Sequence, residues 1–326
     1  MRRHVISLFD GIGCGLLALI EAGQRNFVYS RSEIDEKANA VFHDNFTPEF
    51  LSQYDITVED LGDVRQVLRT SGGWLFDREI HLIMGGSPCQ SVSIQGKRNG
   101  MEGESGLFDE FVRIKNALPH RYFFLENVPM KNEFMQYFNE QMGVNPLEID
   151  SAIFSAQQRR RLYWMNISYR GLPYVTCSDT VRSIMLHDVP DKYFINPQQE
   201  VIPTVPAGKR CLAYIGDNKT ANRVYDIDGK SVTLIANGGG LGAKTGLYFI
   251  PKMAYPHDGE QFTTMINRGW VDVKGYIRRL TPLECERLQG LPDDFTKAAG
   301  SDTARYRVIN NGWNVETITH LLRRAL

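Results

Sequence analysis

The sequence predicts an α/β fold: a doubly wound sheet accompanied by a smaller, mostly β and irregular domain. In the first half of the 326-residue chain, short β-branched or aromatic runs alternate with helical patterns. From about residue 171 the texture changes, and prolines, glycines and short strands such as Ser231 to Ile235 and Leu247 to Ile250 replace that alternation. Helical patterns return near the end. We therefore predict one domain of residues 1–170 plus 276–326 and a second of residues 171–275.

Each element follows from its periodicity and its flanking residues. Pro282 marks the first turn of a helix to about Gln289, and Asn314 caps a final helix. In that final helix apolar residues recur at helical spacing, so one face should pack back on the sheet. Parallel strands with right-handed crossovers are expected. The predicted strands are Val5 to Phe9, Phe27 to Ser30, Ile80 to Met84, Tyr122 to Leu125 and Leu162 to Ile167, and the predicted helices are Leu16 to Ala22, Glu36 to Phe46, Leu107 to Leu118 and Glu133 to Met142.

Composition excludes several classes of protein. The five cysteines are odd in number, widely spread and lack zinc-ligand spacing, so we expect neither a disulfide framework nor a metal site. We find no apolar run of membrane-spanning length and no signal peptide, and we expect a cytoplasmic protein. Because the net charge is -1, any DNA binding must depend on local basic groups. The candidates are Lys97-Arg98, Arg159 to Arg161, Lys209-Arg210 and Arg278-Arg279.

A glycine-rich turn follows the first predicted strand. Asp10 to Gly15 leads directly into a helix, which is where a cofactor can approach bare backbone, although a plain tight connection has the same pattern. Glu33 ends the second strand, where an acid accepts hydrogen bonds from ribose hydroxyls. Asp63 falls where a carboxylate would meet an adenine amino group. Each acid alone is equally compatible with a helix cap or a solvated loop.

A cysteine follows the strand Ile80 to Met84, in the segment Gly85 to Gln90. Ligands bind at the carboxyl edge of such sheets, and a cysteine in a Gly/Pro turn is poorly placed to fill a core. We therefore interpret Cys89 as a reactive thiol rather than a buried one. The polar, glycine-punctuated stretch from Ser91 to Gly103 carries Lys97 and Arg98, as expected of a loop that closes over a charged polymer.

A carboxylate arrives at the same edge one strand along. Glu126 directly follows the run Tyr122 to Leu125, where it either caps a turn or serves as a general acid for the nucleophile. At strand spacing Arg159 and Arg161 share one face, and their guanidinium groups suit a carboxylate, a base oxygen or a phosphate. A solvated basic face is the alternative.

Together these residues resemble one family, the cytosine-C5 DNA methyltransferases of bacteria and their phages. The resemblance covers nearly the whole chain and keeps the order of the family's motifs. The region Arg223 to Phe249 resembles the target-recognition domain of short restriction-modification members. The motifs are Phe9 to Gly15, Pro88-Cys89-Gln90, Glu126-Asn127-Val128, Gln157-x-Arg159-x-Arg161, and the run from Arg279-Leu280-Thr281-Pro282 to Gly290.

The resemblance implies a Rossmann-like S-adenosylmethionine-dependent methyltransferase sheet and a role for each motif. Cys89 attacks C6 of a cytosine flipped out of the duplex, Glu126 acts at N3, and Arg161, with Arg159 beside it, helps to hold the base and the glutamate. Asn311 and Gly312 meet the methionine end of the cofactor, although Asn310 to Val315 departs from the family's usual Gly-Asn-Ser/Ala-Val. The cofactor residues predicted in all are Phe9, Asp10, Gly11, Gly13, Gly15, Glu33, Ile34, Asp63, Pro88, Asn311 and Gly312.

The same resemblance implies double-stranded DNA as the substrate. A monomer is expected on DNA, with a cognate restriction endonuclease as a possible partner, in a bacterial cell or a phage-infected host. Gln95 and a residue near Thr220 to Arg223 are candidates for filling the space that the cytosine leaves, and Lys230 and Lys244 for contacts with bases or phosphates. The predicted DNA-binding residues are Gln90, Ser93, Gln95, Lys97, Arg98, Thr220, Arg223, Thr233 and Gly239.

Three other functions remain open at this point. A tRNA cytosine-C5 methyltransferase would keep Cys89 and Glu126 but has no need of the base-reading domain predicted at residues 171–275. An inactive DNA-binding homologue is disfavoured by the intact cysteine, glutamate and arginine motifs. A dinucleotide-dependent oxidoreductase would share the glycine-rich turn and leave Pro88-Cys89-Gln90 unexplained.

Overall fold

The computed structural model describes residues 2–70, 75, 77–88, 106–168, 171–196, 201–203, 211–217, 219–236, 240–242, 244–252, 262–266 and 269–326. The chain divides into two compact units. Unit 1 comprises Met1–Ser151, Arg160–Pro173 and Trp313–Leu326, and unit 2 comprises Ala152–Arg159 and Tyr174–Gly312. Residues 276–312 thus lie in unit 2, although we predicted them in the first domain. The division into catalytic and target-recognition domains stays a prediction.

Strands occupy both units. In the part of the chain that the structure describes, they are β1 (Arg3–Leu8), β2 (Phe27–Ser32), β3 (Ile56–Asp60), β4 (Ile80–Gly85), β5 (His120–Asn127), β6 (Leu147–Asp150), β7 (Arg160–Met165), β8 (Val201–Pro203), β9 (Cys211–Ile215), β10 (Arg223–Asp226), β11 (Leu247–Pro251), β12 (Phe262–Ile266) and β13 (Gly269–Arg279).

Helices occupy both units as well. Within the same ranges they are α1 (Cys14–Glu21), α2 (Glu36–Asn45), α3 (Pro48–Ser52), α4 (Val67–Thr70), α5 (Gly106–Ala117), α6 (Asn132–Met142), α7 (Val181–Ile184), α8 (Pro282–Leu288), α9 (Asp302–Asn311) and α10 (Val315–Leu322). Every helix and strand predicted in the first half is present, with ends shifted by one or two residues, as is usual for such boundaries.

The strands of unit 1 form a seven-stranded sheet in the order β3-β2-β1-β4-β5-β7-β6. The pairs among β1 to β5 are parallel, as predicted. The expectation that parallel order continues to the strand near Leu162 is wrong, because β7 runs antiparallel to both β5 and β6. Strand β6 was not predicted. It is a short strand at the edge of the sheet, where it pairs with β7. The order reverses direction between β1 and β4, which makes that crevice the expected ligand site.

Apolar side chains cover the faces of this sheet. One core cluster joins β1, β4 and β5 to α5 and α6, where the rings of Phe108 and Phe138 stack at 3.6 Å. The predicted face of the last helix is buried at Val315, Ile318 and Leu322. That helix packs beside α1, with the Thr319 hydroxyl donating to the carbonyl of Ala18.

The strands of unit 2 form a six-stranded sheet in the order β12-β13-β11-β10-β9-β8. The prediction of β11 is confirmed, whereas the predicted strand at Ser231 to Ile235 is wrong. The described residues of that segment form a single bridge, from Ser231 to Gln157, and no strand. Residues 276–312 belong to this unit because β13 pairs with β11, and α8 and α9 share a core with Tyr225 and Tyr248.

Candidate active site

The turn after β1 has an unusual backbone. Phe9 has φ +57, which a bulky side chain adopts rarely, and Gly11 and Gly13 have φ +61 and +83. A Cβ on Gly13 would lie 2.5 Å from the Phe46 ring, so only glycine fits there. This bend brings the backbone of residues 11–13 to the amino end of α1, as the glycine pattern predicts.

Asp10 differs from the prediction, since its side chain is fully buried in the protein. The carboxylate accepts hydrogen bonds from Arg31 Nε at 2.8 Å, from the Ser7 hydroxyl and from the Tyr29 hydroxyl. Burial, and then the Asp10 carboxylate, raise the pKa of Tyr29 well above its ordinary value. The Asp10 side chain therefore anchors the turn to β2 and is not exposed to a cofactor.

Glu33 follows β2 and faces the same turn. Its Oε2 accepts the backbone N–H of Gly11, and its Oε1 accepts those of Ile34 and Asp35, all at 2.8 Å. A carboxylate offers about four acceptor positions, so one of them stays open among the described residues. Beside it the Ile34 side chain is 66% exposed, an apolar surface next to a polar acceptor.

Asp63 lies after β3 and serves as a helix cap, one of the two alternatives that its sequence position left open. Its Oδ1 accepts the N–H of Arg65 at 2.9 Å and caps a short 3-10 helix beginning at Val64. The side chain is 37% exposed, and its other oxygen, Oδ2, lies 3.5 Å from Nη1 of the exposed Arg65.

The ends of β4 and β5 are tied together. The two strands are parallel neighbours, and Gly85 pairs with Leu125. The amide of Asn127 donates to both the carbonyl and the hydroxyl of Ser87, at 3.3 and 3.1 Å. The half-buried Pro88 follows at this edge. Cys89 comes next in the sequence and lies outside the described residues.

Glu126 and Arg161 form an ion pair at this edge, as the sequence analysis proposed for the arginine. Arg161 Nε lies 2.8 Å from Glu126 Oε1, and each side chain is only 11% exposed. The pair forms because β7 runs antiparallel to β5, with Glu126 opposite Tyr163. An arginine that is largely dehydrated holds a carboxylate strongly and in a fixed orientation.

Trp313 is a contact that sequence reasoning missed. Its indole N–H donates to Glu126 Oε2 at 3.1 Å, so the two carboxylate oxygens have separate donors. The only sequence signal was the departure of residues 310–315 from the family's usual pattern, and that signal did not indicate a partner.

Arg159 behaves differently from Arg161. It precedes β7 and belongs to unit 2, where its Nη2 donates to the carbonyls of Asn310 and Gly312 at 3.3 and 2.8 Å. The structure thus gives it a role in holding the end of α9, and a catalytic role for it stays a prediction. Asn311 is the exposed last residue of α9, and Gly312 is buried.

The candidate DNA contacts of unit 2 are described only in part. Thr220 is exposed and Arg223 is half-buried, whereas the Thr233 hydroxyl donates to the carbonyl of Gln158. Lys230 is a correction: its ammonium group donates to the carbonyls of Ser155 and Cys177, both at 2.8 Å, and holds the backbone. The predicted residues outside the described ranges are Cys89, Gln90, Ser93, Gln95, Lys97, Arg98, Lys209, Arg210 and Gly239.

Two kinds of feature are absent from the described residues. No helix there is long and apolar enough to cross a bilayer. No group of three or more His, Cys, Asp or Glu side chains there is arranged to hold a metal ion.

The sheet order of unit 1, with its switch point beside a glycine-rich turn and its antiparallel β7, defines the class as a Rossmann-like methyltransferase of the S-adenosylmethionine-dependent type. The chain belongs to the C-5 cytosine-specific DNA methylase family, which matches residues 3–326. It is thereby a cytosine-C5 DNA methyltransferase, and the family and fold imply use of S-adenosylmethionine. The predicted family and fold class are confirmed.

Two known methyltransferases and one solved structure are similar to nearly the whole chain. Type II methyltransferase M.HhaI of Haemophilus parahaemolyticus is 28% identical over 97% of this chain and 92% of its own length. Type II methyltransferase M.HpaII of Haemophilus parainfluenzae is 28% identical over 96% and 86%. The crystal structure of S. pombe Dnmt2 methyltransferase has a TM-score of 0.61 at 15% identity, covering 98% of this chain and 97% of that one.

Proposed function

We propose that this chain methylates C5 of a cytosine flipped out of double-stranded DNA, with Cys89 as nucleophile, Glu126 as acid and Arg161 as the residue that fixes the acid. The observation that carries the proposal is the set of contacts made by the Glu126 carboxylate. Its carboxylate is buried and oriented, yet among the described residues it accepts only the contacts from Arg161 and Trp313. Positions are therefore left for a substrate.

The chain itself supports the pairing of the two catalytic groups. Cys89 directly follows Pro88, and the turn before it is held by Asn127, the neighbour of Glu126. A nucleophile that follows β4 in the sequence and an acid near the end of the adjacent β5 suit attack on one side of a ring and protonation at its edge.

The reaction needs both groups, because C5 of cytosine is a poor nucleophile. The Cys89 thiolate adds to C6, and the C5–C6 π electrons shift through the ring towards N3, where Glu126 supplies a proton or a hydrogen bond. C5 then carries enamine character and takes the methyl group, which S-adenosylmethionine supplies when bound. Loss of the C5 proton re-forms the C5–C6 double bond and expels the thiolate, which regenerates the enzyme.

The residues near the turn after β1 fit such a cofactor. Glu33 retains one acceptor position for a ribose hydroxyl, and Ile34 offers an exposed apolar face to an adenine ring. Asp63 is 37% exposed, and its Oδ2, which pairs with Arg65 at 3.5 Å, is the oxygen proposed for the adenine amino group. Asp10 contributes only by holding the turn in place. The remaining residues proposed to hold the cofactor are Phe9, Gly11, Gly13, Gly15, Pro88, Asn311 and Gly312.

Base flipping is part of the proposal, because C5 and C6 are hidden inside a stacked duplex.

In unit 2 a cavity of about 270 Å³ is lined by Lys192, Lys244 and Arg279 together with the single carboxylate of Asp302. This excess of cations suits a DNA phosphate. The residues proposed to contact DNA are Gln90, Ser93, Gln95, Lys97, Arg98, Thr220, Arg223, Thr233 and Gly239.

The relatives' names support a biological setting. Both Haemophilus relatives are type II methyltransferases, so we propose that this chain acts in the bacterial cytoplasm and protects a site that a cognate endonuclease cleaves. A monomer on DNA remains part of the proposal. An orphan methyltransferase of Bacillus phage rho11s is 26% identical over 84% of this chain. Genomic neighbours that include no endonuclease would favour that second setting.

Covalent trapping tests the proposed chemistry. Duplex DNA of random sequence carrying 5-fluorocytosine is incubated with the protein and S-adenosylmethionine, and the products are separated under denaturing conditions. Because fluorine at C5 cannot leave as a proton does, the proposed reaction stops at a stable Cys89–C6 adduct. Sequencing the trapped DNA would also give the recognised site.

Two cysteine variants make the experiment specific. C89S should abolish the adduct, whereas the matched change C177S, at a half-buried cysteine beside Asp179, should leave it intact. An adduct that survives C89S would overturn the assignment of the nucleophile. No adduct in the presence of DNA binding would indicate an inactive homologue, and an adduct only with substituted RNA would indicate an RNA methyltransferase.

A further inference from the structure

Trp313 joins two parts of unit 1 that the proposed reaction uses separately. Its indole N–H reaches Glu126 at the end of β5. The other end of its ring lies against the first turn of α1, where a Cβ on Gly15 would be 3.2 Å from Trp313 Cζ3. One side chain thus spans from the cofactor turn to the carboxylate.

The surroundings are built to accept this ring. A Cβ on Gly86 would lie 2.7 Å from the indole nitrogen, closer than real Cβ contacts, and 3.1 Å from Glu126 Oε2, a tight contact. The ring of Phe124 meets the indole edge-on at a centroid distance of 5.6 Å. Glycine at 86 is therefore required for the indole to reach the glutamate, and aromatic packing fixes the angle of approach.

The backbone on either side of the ring is also fixed. Asn314 follows directly and caps α10 by accepting the N–H of Thr317 at 3.0 Å. The hydroxyl of Thr317 donates to Ser151 at 3.0 Å, which ties the start of that helix to unit 1. A side chain so constrained loses little freedom when it makes its hydrogen bond, so the bond holds its partner effectively.

We propose that Trp313 is a positioning residue for Glu126: its indole N–H fixes Oε2 while Arg161 fixes Oε1, so that the remaining acceptor positions face the flipped cytosine. The proposal rests on the proposed function. Indole donates and never accepts, so the contact orients the carboxylate without competing for the proton that it delivers. Because Arg161 binds one carboxylate oxygen and Trp313 the other, the orientation of the carboxylate plane depends on both.

The test separates action on Glu126 from action on the cofactor. Exchange of the cytosine C5 hydrogen with solvent, measured on tritiated DNA without any methyl donor, reports thiolate addition and the chemistry at N3. Cofactor binding is measured independently by calorimetry. W313F removes the N–H and keeps an aromatic ring, and W313H removes more ring but keeps a donor. W164F is the matched control, because Trp164 also donates its indole N–H, to Asn139 at 2.7 Å, inside the core.

The proposal predicts that W313F slows C5 exchange and 5-fluorocytosine trapping by about tenfold, the loss expected for one hydrogen bond to a charged group. W313H should recover part of that loss, W164F should show none of it, and the cofactor dissociation constant should change less than about threefold. Thermal melts of each variant confirm that it is folded.

Two results would overturn the role of Trp313. One is W313F exchange equal to that of W164F; the other is a weakened cofactor affinity with unchanged exchange, which would make the indole a wall of the cofactor pocket. Failure of the proposed function itself has a different signature, because the wild-type protein would then show neither exchange nor an adduct.

Discussion

Two arginine–glutamate pairs, one in each unit, show how the same chemistry serves different ends. In unit 1 Arg161 holds Glu126, and both side chains are 11% exposed. In unit 2 Arg278 holds Glu284 through two bonds at 2.6 and 2.8 Å, and those side chains are 2% and 0% exposed. The difference lies in the rest of each carboxylate's coordination.

Glu284 is saturated. Besides the two bonds from Arg278, it accepts the backbone N–H groups of Leu186 at 2.8 Å and Thr281 at 2.7 Å, which fills about four acceptor positions. Thr281 returns the contact by capping α8, so the glutamate completes a capping box. Glu126 has only two contacts among the described residues. A saturated buried carboxylate stabilises the fold, and one held with open positions is available for chemistry.

The largest effect that the comparison predicts is on catalysis. E126Q should lower the single-turnover methylation rate by about 10²- to 10⁴-fold, because the amide can neither deliver a proton to N3 nor pair with Arg161. Its free energy of unfolding should fall by only about 1 kcal/mol, since water can solvate the open positions. Single-turnover assays and urea denaturation measure the two quantities. A variant that methylates normally would break the comparison.

The same substitution in unit 2 should act on stability. E284Q breaks the pair with Arg278 and removes an acceptor from a backbone N–H, so the free energy of unfolding should fall by about 3–5 kcal/mol. The variant that remains folded at low temperature should bind cofactor as the wild type does. Urea denaturation that shows equal losses for E126Q and E284Q would contradict the distinction between open and saturated carboxylates.

The sequence predicted unit 1 much better than unit 2, for a physical reason. Strands β1, β4 and β5 are buried on both faces, so they appear as continuous apolar runs bounded by glycine or polar residues. Their order is then limited by the handedness of crossovers. In unit 2 the segment Ser231 to Ile235 is held by one bridge, to Gln157, and by the bond from the Thr233 hydroxyl to Gln158, which leave no period in the sequence.

The residues of the candidate site also differ in how far the sequence predicts them. Glu126 was predictable because the carboxyl ends of adjacent parallel strands meet at one edge of a sheet. Trp313 was not, because its contact spans 187 positions of sequence and depends on a glycine at 86 that leaves no trace of its partner. The partner of the Asp10 side chain was unpredictable for a related reason: a carboxylate in a glycine-rich turn looks the same in sequence whether it faces a cofactor or a buried Arg31.

The smallest predicted effect concerns pH, at the opposite end of β1 from the site. His4 is buried, contacts the Ser30 hydroxyl at 2.6 Å, and lies between Arg78 at 3.1 Å and Glu59 at 3.7 Å. Burial, and then Arg78, lower the pKa of His4 from 6.5 to about 4, against the opposing effect of Glu59. Because the folded-state pKa is below the unfolded one, the unfolded chain binds the proton first as the pH falls.

The resulting stability is present above pH 6.5 and is lost as the pH falls towards about 4. At a slope of about 1.4 kcal/mol per pH unit, the contribution of His4 should fall by about 2 kcal/mol between pH 7 and pH 5. Urea denaturation at both pH values, for the wild type and for H4N, isolates this contribution from the titration of carboxylates common to both. Equal losses in the two proteins would mean that His4 binds its proton as readily in the folded state as in the unfolded chain. His4 would then resemble Glu126, which keeps positions open for other partners, rather than Glu284, whose positions are all filled.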